Sequence, residues 1–258
     1  MDAKDIGIWY FSGTGQGKDL AKKLSQALLK YKVDMKDITS KIQRDRIIKK
    51  VELGQLIIIF PIYGSDIPEP LTGFLESLYS NYTKVILIAL WGNSHKGKAI
   101  THAKNILEKK GFQINAGAEL VTQHSYLVEK YPININNNHE VINFVNRNIF
   151  MDKNISFLNH KDKLSVKILC SLPSGTASRM ISKIYYNTEI CNGCNLCKII
   201  CPVGAVRDDY SIDNSICLRC LACVSRCKKK ARKVSISKIG KLALESHMKQ
   251  INNDVYYE

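Results

Sequence analysis

Eight cysteines fall in two runs of identical spacing, Cys191, Cys194, Cys197 and Cys201, then Cys217, Cys220, Cys223 and Cys227. Thiolates are soft ligands that select zinc, copper(I) or iron–sulfur clusters. Structural zinc takes two C-x2-C pairs from separated knuckles, whereas three cysteines within seven residues suit a cubane of iron and sulfide. The second run follows the first by 26 positions, and Ile190/Ile216 and Ala205/Ala231 keep the same register, so the block is an internal duplication. Cys170 lies outside it and reads as a spare, partly buried thiol.

A second set of residues suits a different group. Ser12, Gly13, Thr14, Gly15, Gln16 and Gly17 follow an apolar run and lead into a helical pattern. Hydroxyls and free N–H groups there would meet at the positive end of a helix dipole, which favours an anion. A Walker A loop would need glycine where Ser12 stands and Ser or Thr where Asp19 stands. The dinucleotide pattern G-x-G-x-x-G fails too, because Gly13, Gly15 and Gly17 alternate. What remains suits a single phosphate monoester, with a plain tight turn as the alternative.

The elements that must hold these residues alternate in type. Apolar runs at residues 6–11, 33–38, 56–60, 85–90 and 114–121 read as strands, while 19–31 and 98–110 put apolar residues on one helical face. That alternation predicts an α/β fold with a parallel sheet and right-handed crossovers. Ligands of such a sheet sit outside the carboxyl ends of its strands. Two further loops therefore matter: 61–68, with Pro61, Ile62, Tyr63 and Gly64, and 91–97, with Trp91, Gly92, Asn93 and Gly97. Each sets an aromatic beside a glycine, so that backbone can approach a flat ring and the aromatic can stack on it. Packing of Tyr63 and Trp91 over the sheet edge is the alternative. The segment Gln123-His124-Ser125-Tyr126 could cover the ring's edge or reach a second unit. His124 reads either as a proton donor to a reduced cofactor or as a surface histidine with a structural hydrogen bond, and the second is preferred.

The first loop resembles the phosphate loop of flavodoxins, T/S-x-T-G-x-T, which holds the phosphate of FMN. Gly17 stands at the last hydroxyl position, so one side-chain contact is lost while backbone donors remain. The cysteine runs resemble the bacterial ferredoxin run C-x2-C-x2-C-x3-C-P, in which three close thiolates hold one [4Fe-4S] cluster and the fourth ligates the other. That resemblance implies one cluster on Cys191, Cys194, Cys197 and Cys227, and another on Cys217, Cys220, Cys223 and Cys201. The second run has Lys228 where the first has Pro202, which implies a less constrained turn. SGTG, PIYGSDIP, WGN, QHSY and both cysteine runs stand in the order found in the flavodoxin/ferredoxin fusion proteins, a likeness that spans nearly the whole chain. It implies a flavodoxin-like doubly wound parallel sheet over residues 1–150, a linker at 151–184, and a small α+β two-cluster ferredoxin domain with a C-terminal tail at 185–258. It also implies two [4Fe-4S] clusters, a noncovalent FMN, and electron transfer between them in anaerobic metabolism.

Composition bounds the rest. A formal charge of +15 would ordinarily suggest nucleic acid, but no nucleic-acid motif is present, and two oxidised clusters and FMN each carry roughly −2. The basic run 226–233 reads equally as a solvated face or as an attraction for an acidic redox partner. The apolar run 56–61 is too short to cross a bilayer, and the N-terminus has no signal-peptide pattern. The expectation is a cytoplasmic protein with no membrane or nucleic-acid partner, whose reduced thiols bind metal rather than pair as disulfides. An electron carrier leads. A flavin-dependent reductase of a small molecule, fed through the clusters, is the alternative, with residues 122–150 as a lid. A binding protein with structural clusters comes third.

Overall fold

The computed structural model describes residues 5–93, 96–127, 138–157, 176–247 and 253–258. Its main sheet holds five parallel strands, β1 (Asp5–Tyr10), β2 (Lys32–Asp37), β3 (Gln55–Pro61), β4 (Lys84–Trp91) and β5 (Gln113–Val121), in the order β2-β1-β3-β4-β5. This is the flavodoxin-like arrangement, with its reversal of strand order between β1 and β3. Ile8 lies beside Ile57, and Ile57 beside Ile86, across the centre. From Leu56 to Phe60 every residue is buried, because helices cover both faces and no position is left for a polar side chain. β2, reading KVDMKD, is largely exposed, and its alternating charges suit an edge strand.

Helices α1 (Gln16–Ala27), α2 (Lys41–Asp45), α3 (Glu69–Ser77), α4 (Ala99–Lys109) and α5 (Asn138–Asn148) fill the connections. Leu20 and Leu24 of α1 and Phe144 and Val145 of α5 pack on the face carrying Ile57 and Ile86. Leu71 and Leu75 of α3 and Ile100 and Leu107 of α4 pack on the face carrying Ile58 and Leu87. Each such side chain contributes about 1.5–3 kcal/mol relative to remaining in water. α1 begins three residues ahead of the sequence pattern because Gly15 takes a left-handed φ of 107° and turns the chain into the helix at Gln16. Gln16 and Gly17 are therefore in its first turn.

A smaller unit follows: α6 (Thr176–Ile181), β6 (Ser182–Tyr186), α7 (Leu196–Ile199), α8 (Ala222–Ser225), β7 (Arg232–Ile236) and α9 (Lys238–His247). β6 and β7 pair antiparallel and bracket both cysteine runs, so regular structure starts just ahead of residue 185. The chain then returns. β8 (Val255–Tyr257), placed by the sequence in a C-terminal tail, pairs antiparallel with β5 and becomes the sixth strand of the main sheet. It covers an otherwise open edge, and the Tyr257 hydroxyl donates to the buried Glu119 carboxylate at 2.8 Å. Cys170 and residues 128–137 of the expected lid lie outside the described residues. Of its described residues, α5 packs on the sheet, whereas Thr122 to Tyr126 lie at the carboxyl end of β5 beside the loops that follow the other strands.

Candidate cofactor-binding cleft

The loops leaving the carboxyl ends of the strands are tied to one another. Gln16 donates through its side-chain amide to the carbonyl of Gln123 at 3.0 Å and accepts the Gln123 N–H at 3.0 Å, joining the loop after β1 to the one after β5. The N–H of Ser12 donates to the Thr39 hydroxyl at 2.9 Å. After β3, Tyr63 donates its N–H to the carbonyl of Asp66 at 2.9 Å across a turn whose central residues, Gly64 and Ser65, have φ of 59° and 64°. Two positive φ values identify a type I′ turn. Gly97, also at φ 59°, sits so close to this turn that a Cβ would overlap the Ser65 carbonyl, while the Lys98 N–H donates to that carbonyl at 3.0 Å. Gly92 lies under His124, where a Cβ would come within 2.7 Å of the ring.

These loops wall a cavity of about 1340 Å³. Ser12, Gly13, Thr14, Gln16, Gly17, Pro61, Ile62, Tyr63, Gly64 and Gly92 line it. Gly15, Trp91, Asn93 and Gly97 do not. Gly15, Asn93 and Gly97 instead take the positive φ values that shape the loops. Trp91 is 3 % exposed, with the Lys96 amine 4.8 Å from its ring centroid. As the last residue of β4 it falls in phase with Leu87 and Ala89 along the strand. The aromatic groups on the cavity are Tyr63, His124 and Tyr126.

The opposite wall comes from the smaller unit, through Arg179, Pro202, Leu218, Arg219 and Cys220. A Cβ at Gly13 would lie 2.6 Å from the Cys220 carbonyl oxygen and 2.9 Å from the Tyr63 hydroxyl, so only glycine fits. The units are stitched by polar contacts. Arg44 donates to the Pro202 carbonyl at 2.6 Å, Ser225 donates its hydroxyl to the Gly13 carbonyl at 3.1 Å, and Tyr126 donates its hydroxyl to the Arg219 carbonyl at 2.8 Å. Burial pushes the Tyr126 phenol up to about 12 and the His124 imidazole down to about 4. His124 Nδ1 accepts the Tyr126 N–H at 3.3 Å, the role of a neutral structural histidine. Of these cross-unit residues the sequence singled out Gly13, Tyr63, Pro202, Cys220 and the Gln123–Tyr126 segment; Arg44 and Arg219 have no local signature.

The two cysteine loops share one backbone. Gly193 and Arg219, Asn195 and Leu221, and Gly204 and Lys230 are equivalent positions, and all six have φ between 54° and 69°. The N–H of Ala205 donates to Cys201 Sγ at 3.2 Å, and that of Ala231 to Cys227 Sγ at 3.3 Å. Lys228 in place of Pro202 therefore leaves the turn unchanged. A small cavity of about 20 Å³ brings Cys201 of the first run together with Cys217, Cys220 and Cys223 of the second. Burial raises the Cys223 thiol to about 12. In the other set Cys194 is exposed, and Cys191, Cys197 and Cys227 are half-buried. A hydrogen bond from the Tyr186 hydroxyl and another from the Gly193 N–H lower the Cys191 thiol. Among the described residues no group of three or more His, Cys, Asp or Glu is arranged for a single ion. In a cubane each thiolate takes its own iron, and sulfur-directed N–H groups and soft ligands fit that chemistry.

The basic run divides by role. Arg226 donates to the Ser12 carbonyl at 3.4 Å, and Arg232, 3 % exposed, donates to the Tyr210 carbonyl at 2.6 Å. Lys228, Lys229, Lys230 and Lys233 are exposed.

A family model for the 4Fe-4S binding domain matches residues 184–207, which span the first cysteine run. No curated protein matches the chain significantly. Among solved structures, the Fusobacterium nucleatum flavodoxin bound to flavin mononucleotide is 18% identical over 43% of this chain and 68% of its own, with a TM-score of 0.36. A flavodoxin from the domain Archaea is 12% identical over 46% of this chain and 84% of its own, with a TM-score of 0.38. A mutant flavodoxin from Pseudomonas aeruginosa is 11% identical over 55% and 95% of the two chains, with a TM-score of 0.38. Among the described residues no helix is long and apolar enough to cross a membrane. By its own strand order and its cysteine loops, the chain joins a flavodoxin-like fold to a 4Fe-4S binding domain near its C-terminus.

Proposed function

We propose that the protein passes single electrons between two [4Fe-4S] clusters and a noncovalently bound FMN. The observation that carries this reading is the contact of Cys220 with Gly13, which sets a cysteine loop directly against the phosphate-type loop. When bound, the clusters would exchange one electron at a time and FMN one or two. The chain supplies placement. Ser12, Thr14 and the α1 N-terminus suit a phosphate monoester, and Tyr63 and Tyr126 wall a flat ring. Arg44, Ser225 and Tyr126 hold the units together, so no diffusional encounter separates the cofactors. Buried Arg219 and Arg232 put positive charge beside the cysteine loops, which favours added electrons there. Reduced thiols in such number suit a cytoplasmic, anaerobic setting, and the exposed lysines suit an acidic redox partner.

One observation favours a second reading, reduction of a small molecule by the flavin. The cleft, at about 1340 Å³, exceeds the roughly 300–1,000 Å³ of ordinary ligand pockets, so a second molecule has room beside a flavin.

The test is chemical analysis of the anaerobically purified chain, with about eight irons and one FMN expected. Cys191→Ser and Cys227→Ser should each remove the same half of the iron, and the double variant no more. Zinc alone, or no flavin, sinks the reading.

A further inference from the structure

We infer that the two cysteine sets do different jobs: Cys201, Cys217, Cys220 and Cys223 form the inner centre that faces the flavin cleft, and Cys191, Cys194, Cys197 and Cys227 form an outer centre on which an acidic one-electron carrier protein docks. This rests on the reading that both clusters and FMN are bound.

The duplicated backbone makes the two sets alike in themselves, so the difference lies in their surroundings. On the inner side Cys217 and Cys223 are 7 % and 9 % exposed. Cys220 reaches the cleft with both its carbonyl oxygen, 2.6 Å from a Cβ position at Gly13, and its own Cβ, 3.4 Å from it. Tyr63 stands at the same point, its hydroxyl 2.9 Å from that position. Neither Cys191, Cys194, Cys197 nor Cys227 lines the cleft. Electron tunnelling falls exponentially with distance, so a group in the cleft exchanges with the inner centre first.

The outer set is presented to solvent. Cys194 is exposed, whereas its counterpart Cys220 meets the Gly13 loop, and Ile199 is 52% exposed. Lys228, Lys229 and Lys230, directly after Cys227, are exposed as well. Exposed lysines directly after a ligand of this set are complementary to a partner that surrounds its own redox centre with carboxylates. The order is then external carrier, outer centre, inner centre, flavin, or the reverse.

The experiment uses the whole chain under anaerobic conditions, with the fluorescence lifetime of bound FMN as the readout of distance to a quenching cluster. Cys223→Ser, which disrupts the inner centre, should lengthen that lifetime several-fold, and Cys194→Ser should leave it unchanged. Cys201→Ser, which removes a half-buried ligand of the same centre, should lengthen the lifetime as well, even if Cys223→Ser does not fold. With a reduced acidic plant-type [2Fe-2S] ferredoxin as the probe carrier, Lys228→Glu with Lys229→Glu should slow cluster reduction at least about tenfold. Equal lifetimes in Cys194→Ser and Cys201→Ser overturn the inner assignment, and an unchanged rate in the lysine variant overturns the docking face. Absence of FMN or of about eight irons in the unaltered chain would instead refute the underlying reading.

Discussion

Arg44, in the last turn of α2, donates to the carbonyl of Pro202 at 2.6 Å, a contact spanning 158 positions of the chain. The same guanidinium holds the carbonyls of Ile38 at 3.1 Å and Thr39 at 2.6 Å. Burial lowers its pKa, opposed by the nearby Asp45 and Cys201, so a charge is kept inside because its donors are used. Pro202 follows a proposed cluster ligand directly, and Arg44 thereby fixes the inner cysteine set against the main sheet. Arg44→Met should preserve volume yet cost about 2–4 kcal/mol, with faster amide exchange around Ala205. An unfolding midpoint within experimental error of the unaltered chain contradicts this.

Gly97 and Gly64 make a contrasting pair. Both have φ of 59°, but a Cβ at Gly97 would overlap the Ser65 carbonyl, whereas nothing lies within 4 Å of one at Gly64. Gly97→Ala should displace the turn after β3 and raise the FMN dissociation constant about tenfold or more, roughly 1.4 kcal/mol, with iron content unchanged. Gly64→Ala should cost stability by only about 1–2 kcal/mol of left-handed strain. Titration of the apoflavin form with FMN separates the two, and equal affinities in both variants count against the loop contact.

These residues also mark how far the sequence could be read. β3 and β4 were legible because burial on both faces permits only apolar residues, and the cysteine duplication because ligand spacing is fixed by the metal. Trp91 was misplaced toward the cleft. An aromatic next to glycine does not state strand phase, and Trp91, in phase with Leu87 and Ala89, does not line the cleft. Arg219, Leu221 and Lys230 carry no sign of the positive φ that Gly193, Asn195 and Gly204 announce in the first run; tertiary symmetry imposes it. β8 is three residues long, and its partner edge is 138 positions away at Glu119, beyond any local pattern.

His124 gives a pH dependence with a defined sign. Burial holds the imidazole neutral, with its pKa lowered to about 4, while the unfolded chain titrates near 6.5. Between those values the unfolded chain binds a proton that the folded chain refuses. This contribution therefore disfavours the folded state progressively as pH falls from about 6.5 to about 4, and it is absent above that window. Denaturant unfolding of the unaltered chain and of His124→Asn should give a stability difference that shifts in favour of the variant as pH falls from 7.5 to 5. A difference independent of pH would show that His124 is not held neutral by the fold.

The docked arrangement of the two units separates two electron-transfer steps by their response to salt. On the proposed reading an external acidic carrier would meet Lys228, Lys229 and Lys230 through solvent, where charges are screened over about 8–10 Å at ordinary ionic strength. The internal step starts from a complex already made, with Cys220 against Gly13 and Arg44 on Pro202. No charged surfaces have to find each other, and the effective concentration is set by the fold rather than by the solution. Rapid mixing of anaerobic protein with a reduced acidic carrier should therefore show a first phase that slows as salt rises and scales with carrier concentration. It should then show flavin reduction at a rate independent of both. The second phase should persist at protein concentrations where separately produced units, mixed together, barely react. Flavin reduction that scaled with protein concentration, or that slowed with salt as steeply as the first phase, would place the transfer between molecules and leave the contact at Gly13 without a role in it.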